Sequence, residues 1–452
     1  MMRALRIELR RSVAPWAGLL VLLLPLPLLL LLSGPWTHDP ARWESSTTTA
    51  ALWLRWCLMF VWPVALGAGA VQGMRDRRSG MTELLGTTPR PVGQRTGALA
   101  AALAVCLVVG FGALAVVGVG NVLLGGGHTS AAFLPVLVVG ALAVVAGGVL
   151  GLAVGRVAPH PLVAPAAAVL ALVLLTLANI GLAGAQVSSF TTRLAHLTAV
   201  IGDPRGTMVT TTWSFDLVQA AWFVGLAATG VLLLAAKSSR AKVIALAPAL
   251  LAAAVAVPLL PARPADAFTA DAAAELVCDG PVCVSRMHAD RLPVLAEAGR
   301  EALRLLARLP DAPTRVVEDT SPQWVDQLPE RSADVVRINY QMDSGLLEAD
   351  VARTRDELLA GVGVPRCHAA NAGGTDEPII AALTVAHLTG ADRPPADYPG
   401  HFTGMESMVE SAWGRFSSHP EDVREQRVVA TRKALLACDG TALDVLLPEG
   451  VR

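Results

Sequence analysis

The chain has 452 residues, of which 53% are hydrophobic and only 16% are charged, so it is long enough for two domains but too apolar to be soluble throughout. Its formal net charge of −1 conceals two opposite halves, because residues 261–452 hold 19 basic and 30 acidic side chains, whereas residues 1–260 hold 17 and 7. The acidic C-terminal part argues against binding of nucleic acid or of anionic lipid headgroups by that part.

The first 260 residues contain seven long apolar runs. A helix needs about 20 residues to cross a hydrocarbon core about 30 Å thick. We therefore predict an α-helical polytopic membrane domain over residues 1–260, with spans at about 14–33, 51–73, 96–124, 131–155, 162–185, 217–236 and 243–260. The first run is longer than a typical signal-peptide core and lacks a small-residue cleavage site, so we expect it to be retained.

Arg55 is the one charged residue inside a predicted span. It lies near the start of the second run beside Trp53 and Trp56, so we expect it to be an interfacial anchor whose guanidinium reaches the headgroups. The predicted spans then contain no proton relay and no ion-binding carboxylate. Between the fifth and sixth spans, residues 191–206 are half apolar, and an interfacial or re-entrant helix and a plain solvated loop are both possible.

Basic residues predict the orientation of these spans. Lys and Arg favour the cytoplasmic side in short loops. Alternate segments, beginning with the N-terminus, hold thirteen of them, and the opposite segments hold three. We therefore expect a multi-pass plasma-membrane protein with a cytoplasmic N-terminus, and the odd number of spans places the C-terminal domain on the extracytoplasmic side.

That C-terminal domain is predicted to cover residues 271–452, after a Pro- and Ala-rich linker at 261–270. An amphipathic helical pattern runs over residues 288–309, and short strand-like runs follow at 314–319 and 333–340. Further helical patterns cover residues 345–359, 377–388, 405–416 and 420–436. Together they predict a small, mainly helical α+β domain.

Four of the six cysteines lie in this domain, an even number that suits an oxidising compartment. The pairing favoured by the sequence is Cys278 with Cys283, which closes a tight CDGPVC loop, and Cys367 with Cys438. The other two connectivities remain possible. Cys57 and Cys106 lie within predicted spans, where we interpret them as small apolar side chains.

The longest loop on the predicted cytoplasmic side, residues 74–95, has the sequence MRDRRSGMTELLGTTPRPVGQR. A short helix starting near Gly80 would present Met81, Leu84 and Leu85 on one apolar face, and would end before Pro89. Such a helix is suited to dock into a groove on a cytoplasmic partner and to transmit a rigid-body push.

With this loop and the basic N-terminal segment MRALRIELRR, the sequence resembles the permease subunits of type-2 ABC transporters. The resemblance covers the first six spans and implies that the loop is a coupling helix seated on a separate cytoplasmic ATP-binding subunit. The residues that would make this contact are Arg77, Gly80, Glu83, Leu84, Leu85, Pro89 and Arg90. It also implies a homodimer or pairing with a second permease, and we expect the complex to be an exporter. The family usually has six spans with both termini inside, so the seventh span and the outer domain are departures.

The chain has no ATP site of its own, since none of its three lysines, Lys237, Lys242 and Lys433, follows glycine in a phosphate-binding loop. The signatures His-Glu-x-x-His and Gly-x-Ser-x-Gly are also missing. His387 has neither the glutamate nor the second histidine of the first signature. We interpret the scattered His288, His368, His401 and His419 as surface or capping residues. We therefore expect a non-enzymatic protein without cofactor or metal. The alternative is a membrane-anchored sensor, receptor or binding protein whose outer domain recognises a ligand.

Overall fold

Long apolar helices dominate the N-terminal part of the structure, a computed structural model. The residues described are 9, 12–39, 41–78, 92–183, 188–204, 206–322, 330–365, 367, 376–397 and 404–448. The chain divides into two units, Met1–Asp271 and Ala272–Arg452, and each is described by itself.

The helices of the first unit are numbered in chain order. They are α1 (Ala14–Leu23), α2 (Pro25–Leu31), α3 (Thr47–Trp56), α4 (Leu58–Arg78), α5 (Val92–Leu124), α6 (Phe133–Val157), α7 (Val163–Ala183), α8 (Ser189–Ala195), α9 (Trp213–Ala235), α10 (Ser239–Ile244) and α11 (Ala247–Leu259). Two short strands, β1 (Val209–Thr211) and β2 (Phe268–Ala270), pair antiparallel.

Six helical segments in the described part are long and apolar enough to cross a membrane, namely Ala14–Leu31, Thr96–Leu124, Phe133–Val157, Val163–Ala183, Trp213–Ala235 and Ser239–Leu259. The pair α3 and α4 passes the same test, with a 50° bend, and makes a seventh if it is one span. These segments coincide with the apolar runs of the sequence, and they suggest a membrane-spanning protein.

Glycines allow α4 and α6 to touch backbone to backbone. A methyl group on Gly151 would lie 2.0 Å from the Leu66 carbonyl oxygen, and one on Gly69 would lie 2.1 Å from the Gly148 carbonyl oxygen. Small residues favour such close approach in membranes, where helix association depends on packing rather than on the exclusion of water. The two helices therefore form a closely packed pair.

The first unit has a basic end, where α4, α6 and α9 finish. Val13 at the start of α1 donates to Gln72 Oε1 of α4 at 3.1 Å. Gly73 of α4 lies against the backbone of Leu152 and Arg156 in α6. The ends of α6 and α9 in turn meet the start of the last apolar segment, near Lys242.

The opposite end of the first unit is closed by polar contacts. The Asp271 carboxylate accepts hydrogen bonds from Thr48 at 2.6 Å and from Ser130 at 2.7 Å, at the beginnings of α3 and α6. Trp36 packs against Trp53 and Trp56 with ring centroids 6.0 and 5.8 Å apart. The ladder of β1 with β2 adds backbone hydrogen bonds at this end.

The second unit contains a four-stranded sheet of β3 (Leu276–Asp279), β4 (Val282–Ser285), β5 (Arg315–Glu318) and β6 (Val335–Ile338), in that order. The first pair is antiparallel and the next two are parallel. Its helices are α12 (Leu292–Leu306), α13 (Val351–Leu359), α14 (Asp376–Thr389), α15 (Glu406–Ser417), α16 (Glu421–Ala437) and α17 (Ala442–Leu446). Helix α12 connects β4 to β5 and buries its apolar face, including Leu295 and Leu306.

Candidate functional site

The predicted coupling loop lies between α4 and α5. Gly80, Glu83, Leu84, Leu85, Pro89 and Arg90 lie outside the described residues, and Arg77 belongs to α4 without a described side chain. The role of these residues therefore stays a prediction. The described structure does show that helix α4 runs without a break from this loop to Leu58. At 1.5 Å per residue, this helix spans about 30 Å.

At the far end of α4, beyond the bend at Cys57, Arg55 is completely buried. Its Nη2 group donates to Gln219 Oε1 at 2.8 Å and to the Ala199 carbonyl at 3.3 Å. Its Nε group also reaches the Ala199 carbonyl, and its Nη1 group reaches the Val136 carbonyl, both at 3.4 Å. The expectation that Arg55 reaches the headgroups is therefore wrong. Its guanidinium donates to backbone carbonyls inside the first unit instead of to acceptors at the membrane interface.

The Ala199 carbonyl belongs to residues 188–204, which we call the inserted segment. His196 and Val200 of this segment are fully buried, so a plain solvated loop is excluded. Gln219 Nε2 donates to the His196 carbonyl at 2.7 Å, and Trp222 Nε1 donates to the Leu197 carbonyl at 2.6 Å. Helix α9 and Arg55 thus hold the inserted segment through its backbone oxygens.

A buried carboxylate lies near Arg55. Asp216 in the first turn of α9 is 3% exposed, accepts a hydrogen bond from Thr211 at 2.7 Å and interacts electrostatically with Arg55. Sequence reasoning missed it because the predicted span began at Leu217. A signal was present nonetheless, since Asp216, Gln219 and the buried Phe223 follow helical spacing on one face of α9. The arrangement is a buried polar centre in which Arg55 joins α3, α6, α9 and the inserted segment.

In the second unit, the four cysteines form two pairs at disulfide distance, as the sequence favours. Cys278 and Cys283 are direct neighbours in the β3–β4 hairpin, with Cα atoms 4.1 Å apart. Cys367 and Cys438, 71 residues apart in sequence, have Cα atoms 5.5 Å apart. The second pair links the chain before α14 to the end of α16.

His288 is neither a surface nor a simple capping residue, contrary to our expectation. It is 7% exposed, and its Nδ1 atom lies 2.6 Å from Oε1 of the buried Glu318 at the end of β5. The other carboxylate oxygen accepts the Ser285 backbone N–H at 2.6 Å. Burial, together with the nearby Glu318 carboxylate, raises the pKa of Tyr340, whose ring packs edge-on against His288.

These residues do not have the geometry of a nucleophilic triad. Ser285 Oγ lies 3.4 Å from the same Nδ1 atom that meets Glu318, whereas a triad histidine uses its two ring nitrogens for different partners. Among the residues described, no group of three or more His, Cys, Asp or Glu side chains could hold a metal ion. The arrangement instead joins the ends of β4 and β5 through Glu318.

Replacing Glu318 by leucine is expected to destabilise the second unit by about 3–5 kcal/mol, because His288 and the Ser285 N–H lose a buried acceptor. The matched control is Glu330→Leu, since Glu330 also pairs with a cation but its side chain is 81% exposed, so little change is expected. Protease resistance of residues 272–452 during thermal unfolding of the full-length protein measures both. Equal melting of the two variants would contradict a stabilising role of the Glu318 contacts.

Comparison with known protein families, characterised proteins and solved structures finds no match to this chain. The class that the fold defines is a mostly helical protein whose described residues include six candidate apolar spans, which suggest that it crosses a membrane.

Proposed function

We propose that this chain is the membrane-spanning permease subunit of an ATP-driven exporter of the ABC type, working with a separate cytoplasmic ATPase. The observation that carries the proposal is helix α4, a single 21-residue helix that joins the coupling-type loop to the bend beside Arg55. The sequence resemblance places Glu83 and its neighbouring arginines in that loop. A displacement of the loop would be carried along α4 to the buried polar centre.

Close packing supports this mechanical role of α4. Because Gly69, Gly73, Gly151 and Gly155 bring the backbones of α4 and α6 into contact, the two helices cannot slide past each other without steric overlap. A push on the loop would therefore move α4 and α6 together. Helix α6 also supplies the Val136 carbonyl that accepts from Arg55, so this movement would reach the inserted segment from two sides.

The proposed orientation places the basic end in the cytoplasm. Arg75, Arg156 and Lys242 lie at this end, where α4, α6 and α9 finish. By sequence, the loop segments that alternate with these hold only Arg42, Arg193 and Arg205 before residue 261. This division supports a cytoplasmic N-terminus and an extracytoplasmic second unit. A homodimer or a second permease would complete the transporter, as the resemblance implies.

The proposal is tested by purifying the full-length protein from its native membrane and identifying nucleotide-binding subunits that accompany it. We expect an ATPase to co-purify with the wild type and with the control Glu44→Ala, and to be lost from Glu83→Ala. Glu44 is the matched control because it is an exposed acid in the opposite set of loops. In sealed inside-out vesicles, Glu83→Cys should react with an impermeant thiol reagent.

Two results would contradict the proposal. One is purification of the intact protein without any ATPase, which would favour the sensor or receptor alternative. The other is retention of the ATPase by Glu83→Ala and by Arg90→Ala, which would remove the loop from the contact. Labelling of Glu83→Cys from the other face of the membrane would overturn the orientation.

A further inference from the structure

A groove opens at the basic end of the first unit, where three helices meet. Its volume is about 320 Å³. Gly230 of α9 packs against Val149 of α6, and Thr229 Oγ1 accepts the Ala249 N–H of α11 at 3.0 Å, so the groove walls are joined below it. The lining includes Ala153, Val154, Val157, Leu233, Lys242 and Leu246.

The groove and its rim expose apolar side chains. Val157 is 43% exposed, Leu246 is 43% exposed and Val243, which also lines the groove, is 69% exposed. Val157 ends one candidate span, and Val243 and Leu246 lie near the start of another. In a bilayer they would lie close to the boundary between the headgroups and the acyl chains. In a bilayer the apolar walls of the groove would therefore face the lipid phase.

Basic residues lie at this groove and near it in sequence. Lys242 lines it, Arg156 falls in sequence between the lining residues Val154 and Val157, and Lys237 and Arg240 are exposed within five residues of Lys242. Within the described ranges, none of these four forms an ion pair with a carboxylate. Their charge is consequently available to an anion from outside the chain.

We propose that this groove binds one anionic phospholipid of the adjoining leaflet, with an acyl chain along Val154, Val157 and Leu246 and the phosphate at Lys242 and its neighbours. Charge complementarity selects the occupant, since basic pockets between membrane helices bind anionic headgroups. The apolar walls add the chain contact that a free phosphate ion cannot make. This site is independent of the ATPase contact, so either proposal can fail alone.

The test uses the full-length protein in detergent and measures bound phosphatidylglycerol and phosphatidylcholine by native mass spectrometry. We expect the wild type to prefer phosphatidylglycerol. Combined Lys237→Gln, Arg240→Gln and Lys242→Gln should weaken its binding at least about tenfold, because each cation near an anionic lipid contributes about fivefold. The control neutralises the three cations Arg42, Arg193 and Arg263 outside the basic end, and should retain the preference.

A second variant tests the groove without changing its charge. Val157→Trp should fill the groove and reduce phosphatidylglycerol binding, whereas inorganic phosphate should not compete with the lipid. The proposal is overturned if the triple glutamine variant binds phosphatidylglycerol as the wild type does, or if the control variant loses as much of this binding as the triple glutamine variant. Displacement of the lipid by inorganic phosphate would also overturn it. A Val243→Cys variant that crosslinks to a second copy through this face would show that a protein is the occupant instead.

Discussion

Replacing Gly155 by valine is expected to unfold the first unit or prevent its assembly, with a loss of stability above about 3 kcal/mol. The new Cβ atom would lie 2.0 Å from the Ala70 carbonyl oxygen and 2.9 Å from the Ala70 Cα atom. Both belong to the backbone of α4, which cannot rotate away as a side chain can. The measurement is the yield of monodisperse full-length protein and its thermal unfolding in detergent.

The matched control is Gly112→Val in α5. A Cβ atom added to Gly112 would have no other atom within 4 Å, so a side chain there meets open space and little change is expected. Both substitutions add the same side chain to an apolar helix, and they differ in what the side chain meets. If the Gly155→Val protein unfolds at the same temperature as the Gly112→Val control, α4 and α6 are not packed as described.

Replacing Arg55 by leucine is expected to release the inserted segment. The Ala199 and Val136 carbonyls and Gln219 Oε1 would each lose a donor. Hydrogen bonds to charged groups contribute about 1.5–3 kcal/mol each. The desolvation cost of the guanidinium disappears with it, but the buried Asp216 loses its nearby cation. We expect a net destabilisation of about 2–3 kcal/mol, concentrated in residues 196–201.

The measurement uses Val200→Cys, because Val200 is fully buried. The introduced thiol should resist a thiol reagent in the otherwise unchanged protein and react when Arg55→Leu is added. Arg55→Lys should give an intermediate rate, since one ammonium group cannot reach every acceptor that the planar guanidinium does. Arg42→Leu, which removes an exposed cation, is the control. Unchanged protection of the introduced thiol in the Arg55→Leu protein would contradict the role assigned to Arg55.

The helices and the Cys278–Cys283 pair of this protein could be anticipated because the information is local. A run such as 133–157 is apolar over its whole length and must be helical to satisfy its backbone in a membrane. The close spacing of Cys278 and Cys283 likewise favours their pairing. The coupling role of Glu83 rests on sequence resemblance and stays a prediction.

The polar contacts could not be anticipated in the same way. Arg55 meets Val136, Ala199 and Gln219, which are 81, 144 and 164 residues away in sequence. His288 meets Glu318 through the parallel pairing of β4 and β5, which brings their ends together. A buried charge depends on the acceptors that surround it, and those come from other elements.

The sequence by itself determined that long helices would form, where most of them run and how basic and acidic residues divide along the chain. These properties follow from hydropathy and charge, which are summed over neighbouring residues. Only the tertiary structure decided that Arg55 binds acceptors inside the first unit rather than lipid headgroups, and that Lys242 borders an apolar groove. Both depend on which distant helices approach each other, and close glycine contacts such as Gly155 with Ala70 decide that approach.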